Sequence, residues 1–109
     1  MDTFLEVIQR AEGLELDQLE PLTTLLVWTW NTLYRLIVSE GADVLVQGGS
    51  HFPEPTPAYV AGASAGGSLL KTGWIGVGLV MELHVTGKRI VTSPVVAIAT
   101  ERPGIPVVH

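Results

Sequence analysis

Several groups of residues in this chain have the types and spacing that chemistry asks for. Gly62-Ala63-Ser64-Ala65-Gly66 reproduces the Gly-x-Ser-x-Gly pattern, in which a sharp strand-to-helix turn lifts a serine hydroxyl toward a substrate. That device needs a helix after the serine. Here Gly67 follows at once, and Leu69-Leu70-Lys71-Thr72-Gly73 is too short to supply one. It also needs an acid and then a histidine downstream, but no Asp follows Ser64, and Glu82 precedes His84 by only two positions. Ser68-Leu69-Leu70-Lys71 is a Ser-x-x-Lys arrangement whose lysine also opens Lys71-Thr72-Gly73. Where both patterns serve one mechanism they use separate lysines on separate elements, so the double match is coincidence. A bare Ser–Lys dyad is left, with Lys71 as the base for Ser68 or Ser64, and it requires burial that depresses the lysine pKa.

Glu82 and His84 lie two positions apart, so they share one face of a strand, and His51 would complete a metal-binding set from a loop. An ordinary solvent-facing strand end presents the same pair, and that reading is preferred; no metal or other cofactor is expected. Gly62 and Gly67 have phosphate-loop spacing, but Ser68 stands where the phosphate-binding lysine belongs. Gly76 and Gly78 sit inside a strand pattern, where glycine marks the close approach of another backbone or of an aromatic ring; Trp74, on the same face, is a candidate for that ring.

The elements that position these groups are read from periodicity. Ile75, Val77, Leu79, Met81, Leu83 and Val85 alternate with Trp74, Gly76, Gly78, Val80, Glu82 and His84. Period two over this length predicts one long half-buried strand over 73–86, with its odd positions in the core. Thr3-Phe4-Leu5-Glu6 fits a helix capping box, and Phe4, Leu5, Ile8 and Ala11 then share one helical face, so a short N-terminal α-helix is expected over 3–12. Leu14–Glu20 is acidic and irregular. Leu22–Trp30 and Thr32–Ser39 read as strands joined by a tight hairpin at Asn31, and Asp43–Gln47 as a third. Thr86-Gly87-Lys88 closes a hairpin onto a last strand over 89–100, where Pro94 implies an edge, a bulge or a break. Trp28 and Trp30, with Leu26, point the same way and are read as core, with a ligand or subunit surface as the alternative.

Gly48–Ser68 breaks the pattern with Gly48-Gly49, then Pro53, Pro55 and Pro57, then Gly62, Gly66 and Gly67. Proline at every second position predicts an extended arm without ladder hydrogen bonds, and a long loop in a small domain is often functional. His51, Phe52, Glu54 and Tyr59 are its candidate binding residues. Residues 102–109 are expected to be a loose tail.

One domain is expected over 1–109. Hydrophobic residues make up 47% and charged residues 16% of the chain, against about 25% charged in ordinary soluble domains. Apolar surface in excess of the core favours self-association. The net charge of −5 and the lack of a basic stripe disfavour nucleic acid. The chain has no cysteine, hence no disulfide framework. The start, Met1-Asp2-Thr3, lacks a signal peptide's basic region, and no apolar run reaches membrane-spanning length, so a soluble cytoplasmic protein without a membrane partner is expected.

A helix followed by five antiparallel strands, in a small barrel or a strongly bent sheet over 22–100, resembles the Sm-like and SH3-like barrels in topology. The segments Trp74-Ile75-Gly76-Val77-Gly78 and Ile90-Val91-Thr92-Ser93-Pro94 are also similar to small uncharacterised bacterial proteins. The expected function is a non-catalytic binding or assembly module, a homo-oligomer that presents the Gly/Pro loop to a protein or small-molecule ligand. The alternatives are a small serine hydrolase using the Ser–Lys dyad and a nucleic-acid-binding barrel of Sm type.

Overall fold

The structure is a computed structural model that describes residues 5–7, 13–66 and 69–101, the first of these as backbone. The strands are β1 Leu5–Val7, β2 Gly13–Glu15, β3 Thr24–Thr29, β4 Leu33–Glu40, β5 Asp43–Gly48, β6 Phe52–Ser64, β7 Lys71–Thr72, β8 Trp74–Gly76, β9 Val80–Val85, β10 Lys88–Val91 and β11 Val95–Glu101. A single 3-10 turn, Leu16–Gln18, follows β2. The main sheet runs β1-β11-β3-β4-β5-β6-β9-β10, with β7 against β6, and β2 and β8 form a separate ribbon. Every ladder is antiparallel.

The sheet curls, but it is not closed into a barrel. Outside the ladders, the turn between β8 and β9 contacts the start of β11, where Val77 bridges Val95 and the Val95 N–H donates to the Leu79 carbonyl at 2.9 Å. The core fills the concave side. Leu25 and Val27 of β3, Tyr34, Leu36 and Val38 of β4, Val44 and Val46 of β5, Val60 of β6, Met81 and Leu83 of β9 and Ile98 of β11 are all buried there. Their period-two spacing is the reason these segments are strands: each has one face to bury.

Several expectations need correction. The N-terminal helix is not formed: Leu5–Val7 is extended and pairs with Ala99–Glu101, so β-pairing prevails over the capping-box pattern. The other residues of the expected helix, and the tail, lie outside the described residues. The long strand over 73–86 is two strands. Gly78, at φ +88, takes a left-handed conformation that turns the chain between β8 and β9. Alternation holds on either side of that turn, with Ile75, Met81 and Leu83 buried; Val77 beside it is 41% exposed. Pro94 lies in the break between β10 and β11.

The loop expected over 48–68 is mostly β6. Proline removes a donor from one side of a strand only, so β6 still pairs with β5 through Phe52 and Thr56–Tyr59 and with β9 through Tyr59–Ser64.

The acidic segment after Gly13 is also structural. Its Leu16 is 0% exposed, and the Leu16 N–H donates to the Gly73 carbonyl at 2.9 Å. Leu14 and Leu19 pack against the same core. The ribbon that carries Leu16 is clamped by Trp74, whose ring lies so close over Gly13 and Gly76 that a Cβ on either would overlap it. For Gly76 this is the aromatic approach that the sequence pattern suggested.

Candidate functional site

The four residues expected to bind do not form one surface. Phe52 is 2% exposed and packs edge-on against Tyr34, with ring centroids 6.4 Å apart, so it is a core residue. His51 is exposed in the turn before it, 6.2 Å from the Phe52 ring. Glu54 is exposed on β6. Tyr59 is partly exposed farther along β6, roughly 20 Å from Phe52 at strand rise. There its ring stands 6.4 Å from the His84 ring.

Glu82 and His84 meet each other but not His51. On the outer face of β9 the Glu82 carboxylate accepts from Arg89 Nε at 2.9 Å and Nη2 at 3.2 Å, and from His84 Nε2 at 2.9 Å. Hydrogen bonding from Arg89 first, then from His84, holds the Glu82 carboxyl below its ordinary range. A carboxylate so fully engaged is a structural tie between β9 and β10 rather than a ligand awaiting a cation. No cluster of three or more metal-ligating side chains occurs among the described residues.

The serine arrangements meet physical obstacles. Ser64 ends a strand, its hydroxyl accepts the Gly66 N–H at 3.1 Å, and among the described residues the next element is the strand β7. Lys71 Nζ lies 3.8 Å from the centroid of the Trp74 ring. There it is engaged with the ring rather than with a serine hydroxyl. Ser68 lies outside the described residues.

A different surface stands out, at the β3–β4 hairpin. On the convex side of the sheet, Trp28 pairs with Leu33 of β4 and Ala97 of β11, and Leu26 pairs with Arg35 and Ala99. Trp30 follows at the hairpin tip and is 73% exposed. Leu33 and Val96 are also exposed; Val96 sits in the bulge where β11 shifts register between Val95 and Ala97. Trp28 and Leu26 are half-buried. The tryptophans were expected in the core; the inward positions of β3 are instead filled by Leu25, Val27 and Thr29.

The tip is held firmly. The Thr29 N–H donates to the Thr32 carbonyl at 2.8 Å, the Trp30 N–H to the Pro94 carbonyl at 3.2 Å, and the Asn31 N–H to Ser93 Oγ at 3.2 Å. Arg35 and Glu101, 4.0 Å apart, border the apolar area with one charge of each sign. Both rows of β3 are apolar in sequence, so alternation alone does not say which faces inward. The available signal is position: Trp30 lies in the turn itself, beside Asn31 and past the end of β3.

Comparison with protein-family models, with curated proteins and with solved structures gives no match for this chain. Among the described residues no helix is long and apolar enough to cross a membrane.

Proposed function

We propose that this protein is a non-catalytic assembly module that associates with a second copy of itself through the convex face at the β3–β4 hairpin. The observation that carries the reading is the 73% exposure of Trp30 on a pinned hairpin tip, beside exposed Leu33 and Val96. Tryptophan contributes more to protein contacts than its frequency implies, and a side chain held by a fixed backbone loses little freedom on docking.

The charge distribution favours the same face. Each copy carries −5, so two copies repel at long range. Around Trp28 and Leu33 the bordering charges are Arg35 and Glu101, which cancel. In a two-fold contact each Arg35 gains access to the Glu101 of the other copy, and contacts of this isologous kind are the commonest in homo-oligomers.

The test is sedimentation equilibrium on the wild type and on Trp30→Ala. The reading expects the wild type to exceed the 11.7 kDa monomer mass at micromolar concentration and Trp30→Ala to move toward that mass. A wild type that stays at monomer mass throughout removes the proposal. An oligomer unaffected by Trp30→Ala removes the assigned face.

A further inference from the structure

The strand β6 overhangs the strand that covers it. Along one edge it is paired with β9 from Tyr59 to Ser64, and along the other with β5 at Phe52 and at Thr56–Tyr59. From Pro53 to Ala58 the β9-side edge has no strand beside it among the described residues. An open edge of this kind is a template for pairing with another chain. The overhang reads Pro53-Glu54-Pro55-Thr56-Pro57-Ala58.

The placement of the prolines follows the pairing. The Val60 N–H donates to the Ala42 carbonyl at 2.9 Å, toward β5. Alternation then directs the Ala58 and Thr56 N–H groups the same way, and places Pro57, which pairs with Leu45, at a position whose N–H would face the open edge. Pro53 and Pro55 lie in the register shift, where residues 53–55 of β6 stand against Gln47 alone and have no ladder partner on β5. None of the three prolines therefore takes a donor from the β5 ladder. Within 53–57 only Glu54 and Thr56 carry a backbone N–H, and the exposed Glu54 carboxylate also discourages a neighbouring strand. The prolines stop where cover begins: Tyr59 pairs with His84, the Ala61 carbonyl accepts the Gly73 N–H, and Ala63 pairs with Met81.

We propose that Pro53, Pro55 and Pro57 form an edge guard that prevents a strand of a second copy from extending the sheet along the overhang of β6. The guard does not depend on the hairpin face; it excludes one route of association, whatever other route the protein uses.

The test compares the P53T/P55T/P57T variant with its parent, each in the wild-type and Trp30→Ala backgrounds, by sedimentation velocity and amide-I infrared absorption. The expected result is a shift of the triple variant to larger species with an intermolecular β-sheet band, in both backgrounds. A folded triple variant that sediments like its parent at every concentration overturns the proposal. The Trp30→Ala background keeps this outcome separate from any failure of the face reading. A single P57T variant lies in the regular ladder and covers the case in which the triple variant does not fold. Its new amide at position 57 should exchange with solvent fast in dilute protein and more slowly as concentration rises. Exchange that is independent of concentration overturns the proposal equally.

Discussion

Leu16→Ala is the sharpest test of the architecture, because the sequence around this leucine looks like a solvent-exposed acidic linker. In the structure Leu16 is 0% exposed, inserted into the core from the 3-10 turn after β2. Truncation to alanine removes three carbons, worth about 0.8 kcal/mol each in transfer, so about 2.4 kcal/mol before any cavity term. The residual cavity raises the expected loss to about 3–4 kcal/mol, within the range seen for buried leucines. That is a large part of the roughly 5–15 kcal/mol that stabilises a small domain. The assay is urea unfolding followed by far-ultraviolet circular dichroism and by tryptophan fluorescence. Asp17→Ala is the control, since Asp17 is the exposed next residue. The midpoint should fall with Leu16→Ala at constant slope and stay within about 0.5 kcal/mol of wild type with Asp17→Ala. A loss below about 1 kcal/mol for Leu16→Ala would mean that the ribbon does not plug the core, and the reasoning would be refuted.

Two further outcomes follow from local chemistry. The Glu82 carboxyl is held below its ordinary value of 4.5 by Arg89 and His84, so its stabilising contribution is present above that pH and is lost as the pH falls through the lowered pKa. The stability difference between wild type and Glu82→Gln should accordingly shrink as the pH falls below 4.5; a difference that does not shrink there would contradict the geometry. Leu22 is exposed and held at φ +72, a conformation that disfavours leucine and suits asparagine. Leu22→Asn should raise stability by about 1 kcal/mol in thermal unfolding, and a loss would show that the conformation is not the one described.

The sequence was most legible where a strand has one apolar and one mixed face. The odd positions Met81 and Leu83, the hairpins at Asn31 and Gly87, and the strand at 43–47 were read from alternation and turn residues, and all are present. Three features were not legible, each for a physical reason. Alternating prolines look like a broken ladder, because sequence does not say which side of a strand each missing donor faces; β6 shows that the loss falls away from its partner. The plug at Leu16 is a single buried leucine flanked by Glu15 and Asp17, too short a pattern to carry a period. The outward Trp28 shares β3 with an equally apolar row, so the side facing the core is set by tertiary packing, and Trp30 lies just past the strand. The candidate site shifted for the same reasons: Phe52 belongs to the core, while the exposed Trp30 lies at the β3–β4 tip.

Fluorine NMR of protein labelled with 5-fluorotryptophan tests the assembly surface most directly. The chain has three tryptophans, and each sits in a distinct environment. Trp74 is clamped over Gly13 and Gly76 and serves as an internal reference, whereas Trp28 and Trp30 lie on the convex face. As protein concentration rises through the micromolar range, the Trp30 signal should shift or broaden most, Trp28 should follow, and Trp74 should stay in place. Three signals that do not change with concentration, or a change confined to Trp74, would contradict the proposed face.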